Sequence, residues 1–212
     1  MAKFDGIITI DGPAASGKSS AGLGLARALN IAFISSGYFY RAATFLALEH
    51  GINPNDGTGL MEYLHGQDIS LRVSEALENL VFVGDRDISS YLHSNSVDSN
   101  VSAIAKHPAL RTWANEKLTH TAPPFVIEGR DMGKVVFPRA DYKFYLTARA
   151  EVRARRRLHE RDGDFTTLVA SLQARDKKDA KQLEPAPDAI HIDSNDLNLE
   201  EVVAKMLSYL PL

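Results

Sequence analysis

The chain of 212 residues contains no cysteine. This absence excludes disulfide bonds, thiolate nucleophiles, zinc sites built on cysteine and iron–sulfur clusters. The sequence also has no apolar run near the length of about 20 residues that a membrane-spanning helix needs, and its N-terminus has no pattern of a secretory signal. The seven histidines do not show the spacing of metal ligands. We therefore expect a cytoplasmic protein with no membrane association.

An excess of charge of either sign is also missing, since 24 Lys and Arg oppose 27 Asp and Glu and give a formal net charge of −3. A general nucleic-acid binder carries a basic surplus, so we expect no nucleic-acid partner. The charge is nevertheless uneven. Residues 149–181 hold ten basic and six acidic side chains and are therefore +4, whereas the remainder is −7. The positive charge is concentrated in one segment, as a polyphosphate ligand would require.

Short apolar runs alternate with segments of helical spacing, which is typical of a parallel sheet covered by helices. The sequence therefore predicts an α/β fold with strands at Phe4–Ile10, Ala32–Ile34, Phe125–Ile127, Lys143–Leu146 and Ala189–Ile192. Helical spacing is present in Ser20–Leu29, in Tyr38–His50, around Val97, Val101 and Ile104, and around Leu110, Trp113 and Leu118, where it favours a core position for the tryptophan. Residues 69–88 have strand character with a turn at Gly84-Asp85, which predicts a small antiparallel insert.

A phosphate-binding loop comes directly after the first strand, because Gly12-Pro-Ala-Ala-Ser-Gly17-Lys18-Ser19 fits the pattern G-x-x-x-x-G-K-[ST] and leads into a helix. Glycines let successive N–H groups point inward, and the helix adds its positive N-terminal end. Lys18 would place its ammonium against the β- and γ-phosphates, and the Ser19 hydroxyl would lie near Mg²⁺. The predicted ATP site consists of Gly12, Pro13, Ala14, Ala15, Ser16, Gly17, Lys18, Ser19 and Ser20.

The residues at the end of the third predicted strand narrow the class of P-loop protein. No Asn-Lys-x-Asp segment is present, which argues against a GTPase that reads guanine. Motor and transport ATPases normally end an apolar strand with an Asp that holds Mg²⁺. Here Phe125-Val-Ile-Glu128 ends in Glu and continues as Gly129-Arg130-Asp131. An arginine at the strand end favours binding of a second phosphate, which indicates a kinase with a small phosphorylated acceptor.

Four stretches in this order resemble the bacterial cytidylate (CMP) kinases: Ile8–Ser19, Ser35–Arg41, Glu128–Pro138 and Arg175–Asp179. The resemblance implies a three-layer P-loop NTPase fold, in which helices flank a five-stranded parallel sheet. It also implies a small antiparallel β insert in the acceptor-binding region and a helical, arginine-rich lid. The implied reaction moves the γ-phosphoryl group of ATP to CMP or dCMP, giving ADP and CDP or dCDP, by direct in-line transfer with Mg²⁺ in pyrimidine nucleotide metabolism.

The same resemblance implies that residues 1–212 form a single nucleoside monophosphate kinase domain, expected to act as a monomer. Its core would span about 1–36, 108–148 and 184–212, its acceptor-binding region about 37–107 with the insert at about 69–88, and its lid about 149–183.

Individual residues receive roles from the resemblance. The catalytic residues would be Lys18, Arg130, Arg153 and Arg157, and the CMP-binding residues Ser36, Tyr40, Arg41, Ser102, Arg111, Arg130, Asp131, Arg175 and Asp179. Arg41 and Arg130 would hold the CMP phosphate with their guanidinium forks, and Arg153 and Arg157 would close over the ATP phosphates. Taken alone, each arginine would instead be interpreted as the partner of a nearby carboxylate or as part of a solvated basic helix.

Cytosine recognition would rest on Ser102, Arg111 and Asp131, while Arg175 and Asp179 would contact the ribose. An ionised carboxylate accepts a hydrogen bond from the cytosine amine, and an arginine donates to the neighbouring acceptors. Uracil would present a carbonyl oxygen to the same carboxylate, which gives a physical reason for preferring CMP over UMP.

Two positions depart from the family pattern. Many members carry an arginine where this chain has Gln182, so we hypothesise that Lys181 binds the acceptor phosphate instead. An ammonium does not reproduce the arginine fork. Some relatives have a serine that touches the acceptor phosphate where this chain has Ala14, so that contact must be absent or replaced.

Other functions remain open from the residues alone. One is a different small-molecule P-loop kinase, acting on UMP, AMP or a non-nucleotide. Others are a non-catalytic nucleotide-binding module and a protein whose basic lid contacts RNA. Turnover that depends on the acceptor would separate an enzyme from a binding module.

Overall fold

The computed structural model describes residues 4–159 and 163–211. In chain order its strands are β1 (Ile7–Asp11), β2 (Ala32–Ser35), β3 (Ile69–Val73), β4 (Asn79–Val83), β5 (Arg86–Asp87), β6 (Phe125–Gly129), β7 (Tyr142–Thr147) and β8 (Ile190–Asp193). Its α-helices are α1 (Lys18–Leu29), α2 (Gly37–Glu49), α3 (Gly57–His65), α4 (Asn95–Ile104), α5 (Pro108–Thr119), α6 (Ala150–Leu158), α7 (Phe165–Lys178) and α8 (Leu199–Leu207). A 3₁₀ helix covers Ser89–Tyr91, and a π-helical turn covers Met132–Val136. Arg161, one of the basic residues of the predicted lid, lies outside the described residues.

Contacts divide the chain into two units. The first unit comprises Met1–Phe33 and Pro123–Leu212, and the second unit comprises Ile34–Ala122. Helix α5 falls in the second unit. The proposed boundaries of the core, the acceptor-binding region and the lid remain predictions. Across residues 4–159 and 163–211, no helix is both long enough and apolar enough to cross a membrane.

A five-stranded parallel sheet forms the centre of the fold, with the strand order β2-β6-β1-β7-β8. All five predicted strands are confirmed, and their ends differ from the prediction by three residues or fewer. The central strands are mostly apolar because helices cover both faces. In β6, Phe125, Val126 and Ile127 are fully buried, and α1 packs against this strand and against α8.

The predicted antiparallel insert is confirmed in the second unit as a three-stranded sheet with the order β3-β4-β5. Strand β4 pairs with β3 from Asn79 to Val83 and with β5 at its end, beyond the turn at Gly84-Asp85. Helix α2 packs against β4 and α4. Trp113 is buried and meets the ring of Phe39 edge-on with centroids 5.8 Å apart, which confirms its core position.

Helices α6 and α7 pack against each other in the first unit, within the predicted lid. Their shared core contains Ala154 and Leu172, and the methyl group of Ala14 from the phosphate-binding loop is buried in the same cluster. Ala14 therefore contributes apolar packing between the loop and these two helices. An apolar side chain suits that position better than a serine, whose hydroxyl would need a partner.

Candidate active site

The phosphate-binding loop connects β1 to α1 in a conformation that requires glycine. At Gly12 φ is +149°, and a Cβ atom there would lie 2.1 Å from the carbonyl oxygen of Leu146. Within the loop, the Nζ of Lys18 donates a hydrogen bond to the carbonyl oxygen of Pro13 at 2.7 Å. Burial lowers the pKa of Lys18 to about 8, although Glu128 opposes the shift. A buried ammonium held by the loop is suited to binding phosphate.

Glu128 lies beside the start of α1, because β6 and β1 are neighbouring parallel strands with Ile10 opposite Glu128. The Ser19 hydroxyl donates to its Oε1 at 3.3 Å, and the carboxylate is buried. Hydroxyl and carboxylate oxygens are the hard donors that Mg²⁺ prefers, with water and phosphate completing its shell. The described residues hold no group of three or more His, Cys, Asp or Glu that would bind a metal alone. The pair therefore fits Mg²⁺ bound to a nucleotide, and sequence reasoning missed Glu128 as a site residue.

The segment after β6 carries two of the predicted acceptor residues. Arg130 and Asp131 link the end of β6 to the π-helical turn Met132–Val136, and Asp131 is buried at the start of that turn. The carboxylate of Asp11, the last residue of β1, accepts hydrogen bonds from the N–H groups of Met132 at 2.9 Å and Gly133 at 2.7 Å. Sequence reasoning also missed Asp11, whose only signal was a carboxylate at the end of an apolar strand.

Arg130 is brought to the end of α7, where its guanidinium forms an ion pair with Asp179. The Nε of Arg175 lies 3.7 Å from the same carboxylate. The structure therefore places these three predicted acceptor residues together. Gln182 lies beside them, since its N–H donates to the carbonyl oxygen of Asp179 at 2.8 Å, whereas Lys181 is exposed. The role hypothesised for Lys181 remains a prediction.

The two lid arginines at i and i+4 differ in their surroundings. Arg153 is only 4% exposed. Its guanidinium donates to the carbonyl oxygens of Ala148 at 2.9 Å and Ala14 at 3.0 Å, and its Nη2 lies 2.5 Å from Asp176 Oδ2. Arg157 is half-buried and makes no hydrogen bond or ion pair with a residue that the structure describes. Contact of either arginine with ATP remains a prediction.

Arg156 joins three parts of the first unit, a role that sequence reasoning missed. Its Nη2 donates to the carbonyl oxygen of Ser194 at 2.5 Å, and its Nη1 donates to the carbonyl oxygen of Ser16 at 3.3 Å. The loop after β8 and the phosphate-binding loop are therefore tied to α6 through one side chain. Carbonyl partners give no sequence signal, because every residue carries one.

The second unit holds the other predicted acceptor residues. Arg41 donates to the carbonyl oxygen of Leu92 at 2.7 Å and pairs with Asp98 at 2.8 Å. The guanidinium of Arg111 lies 6.0 Å from the centre of the Tyr40 ring. The remaining two predicted residues are Ser36, which is buried before α2, and Ser102, which is exposed on α4. Asp98 is the partner that sequence reasoning did not identify.

Comparison with known proteins places this chain in a family. A family profile described as cytidylate kinase matches residues 8–211. The chain is 51% identical over 202 residues to the cytidylate kinase of Deinococcus radiodurans, covering 95% of this chain and 97% of the relative. It is 47% identical over 205 residues to the cytidylate kinase of Thermus thermophilus, covering 97% and 98%.

The likeness of this chain to solved structures concerns only the fold. A shikimate kinase from Bacteroides thetaiotaomicron superposes with a TM-score of 0.55 at 14% identity, over 99% of this chain and 100% of the other. A gluconokinase from Sinorhizobium meliloti superposes with a TM-score of 0.51 at 17% identity, over 98% and 92%. The family match and the two relatives, together with the loop and strand-end geometry, establish that the chain belongs to the cytidylate kinase family.

Proposed function

We propose that this protein transfers the γ-phosphoryl group of ATP to CMP or dCMP, giving ADP and CDP or dCDP, as a step of pyrimidine nucleotide metabolism. The observation that carries the proposal is the juxtaposition of two strand ends. β1 leads into the phosphate-binding loop with Lys18, and its neighbour β6 leads into Arg130 and Asp131. The residues that we propose to bind donor and acceptor therefore follow the carboxyl ends of two neighbouring strands, where ligand sites lie in parallel sheets.

Catalysis in this proposal is alignment and charge neutralisation, because an acceptor phosphate is already a nucleophile. An acceptor phosphate oxygen forms the new bond to the γ-phosphorus while the bond to the β–γ bridging oxygen breaks, and ADP keeps that oxygen. The loop amides and Lys18 bind the β- and γ-phosphates. Ser19 and Glu128 would hold Mg²⁺, which supplies positive charge to the phosphate oxygens when bound.

For the acceptor, we propose that Arg130 binds the CMP phosphate after exchanging its Asp179 partner for the ligand. Asp131 would accept a hydrogen bond from the cytosine amine. Arg41 would add charge for the phosphate, and Arg111 would donate to the base. Contacts of Ser36, Tyr40, Ser102, Arg175 and Asp179 with the acceptor, and of Arg153 and Arg157 with ATP, belong to the same proposal.

An assay of ADP release tests the proposal with CMP, dCMP, UMP, AMP and GMP as acceptors at equal concentration. We expect turnover to depend on the acceptor and to be fastest with CMP or dCMP. Equal or faster turnover with AMP or UMP would indicate a different nucleotide kinase. The absence of ADP release above background with every acceptor would indicate a binding module. Cytoplasmic location, a monomeric state and the absence of a nucleic-acid partner also remain proposals.

A further inference from the structure

Strand β1 carries two buried polar side chains, Thr9 and Asp11, at the end that leads into the phosphate-binding loop. Residues two apart in a strand point to the same face, so both lie on one side of the sheet. Polar groups in a central strand are costly unless they are hydrogen-bonded. Asp11 is 5% exposed, and both of its carboxylate oxygens accept backbone N–H groups from the π-helical turn Met132–Val136.

The π-helical turn rests directly on this face of β1. A Cβ atom at Gly133 would lie 2.6 Å from Oγ1 of Thr9 and 3.2 Å from the side chain of Lys143. Only a residue without a side chain allows the turn to come this close. The Thr9 hydroxyl has no hydrogen-bond partner in the described part of the chain, so its contribution is the shape of the surface.

The bonds to Asp11 hold the beginning of the turn. The first N–H groups of a helical turn have no partner within the turn, and a carboxylate is a strong acceptor for them. Met132 and Gly133 come after Arg130 and Asp131 without a break. Fixing their N–H groups therefore fixes the backbone on the C-terminal side of both acceptor residues, while β6 fixes it on the N-terminal side.

We propose that Asp11 is a positioning residue for the acceptor site, because its carboxylate clamps the turn that orients Arg130 and Asp131. The same residue directly precedes Gly12, so one strand end sets both the phosphate-binding loop and the acceptor segment. This inference rests on the proposed function.

Ionised Asp11 serves the clamp best, because both of its oxygens can then accept. Protonation would turn one oxygen into a donor that faces an N–H group. Burial raises the pKa of Asp11 to about 6, the two backbone hydrogen bonds oppose the rise, and the other charged or titratable groups that act on it are Asp131, Lys18 and Tyr145. The kcat/KM of the wild-type protein for CMP should therefore fall in mildly acidic solution.

Asp11→Asn tests the clamp, since the amide keeps one acceptor and replaces the other with a donor. We expect the KM for CMP to rise about tenfold or more and the preference for CMP over UMP to fall about threefold or more. The dissociation constant of ADP should change by less than about threefold, because the loop itself is intact. The matched control is Asp141→Asn, which removes a carboxylate bonded to the Ile7 N–H at 2.8 Å, at the other end of β1. The control should leave all three values within about twofold.

A second pair of variants keeps the test decisive if Asp11→Asn does not fold. Gly133→Ala adds the methyl group that meets Thr9, so it should raise the KM for CMP, and Thr9→Ala combined with Gly133→Ala should restore most of the loss by making room. Additive losses in the double variant would overturn the account of the close approach.

Different results would contradict the clamp and the proposed function. A wild-type protein without CMP turnover would overturn the proposed function. Normal wild-type turnover, with Asp11→Asn keeping the wild-type KM for CMP and preference over UMP, would overturn the clamp alone. An equal loss of CMP efficiency and ADP affinity in Asp11→Asn would also overturn it. The pH dependence of the efficiency with CMP also separates wild type from Asp11→Asn. Protonation of the CMP phosphate affects both proteins equally, so only the wild type should show an additional loss of efficiency below about pH 6.

Discussion

Two regions of the first unit hold their charged side chains differently. In the strand-end region, which consists of Asp11–Lys18 and the turn residues Met132 and Gly133, the charged groups are held by the backbone: Lys18 by the carbonyl of Pro13, and Asp11 by two N–H groups. In the α6–α7 segment, Ala150–Lys178, Arg153 is held by Asp176 as well as by carbonyls, and Arg157 has no such bond among the described residues.

The difference indicates which charges can change partners. A backbone group cannot leave without moving the chain, so the strand-end region is organised before a ligand arrives, as electrostatic catalysis requires. An ion pair between side chains can exchange for a phosphate. We therefore expect substitutions in the strand-end region to reduce catalysis and those in the α6–α7 segment to divide between stability and turnover.

The largest effect should come from Lys18→Met. Loss of the ammonium should lower turnover with ATP and CMP by about a thousandfold or more, because it acts on the transferring group itself. Stability should not fall, since burial lowers the pKa of Lys18 and the charged form is disfavoured in the folded protein. ADP release and urea unfolding measure the two effects. A loss of turnover below about tenfold would contradict the role of Lys18.

A second prediction concerns the pH dependence of stability. Burial raises the pKa of Asp11 from 3.8 to about 6. A group with a raised folded-state pKa stabilises the fold most below its unfolded pKa, and this contribution is lost as the pH rises through the folded value. Relative to wild type, Asp11→Asn should therefore gain about 2.5 kcal/mol between pH 4 and pH 7.5. Urea unfolding at both values measures the difference.

A constant difference between wild type and Asp11→Asn over the same pH range would show that Asp11 is not titrating in a buried site.

Substitutions of the two lid arginines should affect different quantities, the free energy of unfolding in one case and turnover in the other. Arg153→Ala should lower the free energy of unfolding by about 2 kcal/mol, because it leaves a partly buried carboxylate and two carbonyls without their donor. Arg157→Ala is the matched control on the same helix and should change stability by less than about 0.5 kcal/mol while lowering turnover about tenfold. Equal destabilisation by the two variants would remove the distinction between them.

The smallest effect should be on the discrimination between CMP and UMP. Asp131→Asn should lower the ratio of CMP to UMP efficiency by about tenfold, since an amide can donate to uracil as well as accept from cytosine. Efficiency ratios measured for both acceptors in wild type and variant test this expectation. Asp176→Asn is a suitable control, because the Asp176 carboxylate pairs with Arg153 on α6. The ratio of CMP to UMP efficiency in this variant should equal that of the wild type. An unchanged ratio in Asp131→Asn would contradict base recognition by this carboxylate.

Much of the fold and the loop could be predicted from local patterns. The five strands and the loop Gly12–Ser19 are short segments whose residue types specify their own structure. The clamp could not be predicted, because Asp11 and Met132 are distant in sequence and the partner is a backbone N–H. Helical spacing placed Arg153 and Arg157 on one face but gave no information about their different burial, which depends on Asp176 of α7.

Phosphorus NMR of the protein with Mg²⁺, ATP and CMP tests the central claim most directly, because it identifies the product itself. The account predicts that the CMP resonance decays while the paired resonances of CDP and ADP grow together in equal amounts. Growth of ADP and inorganic phosphate with CMP unchanged would contradict phosphoryl transfer to CMP.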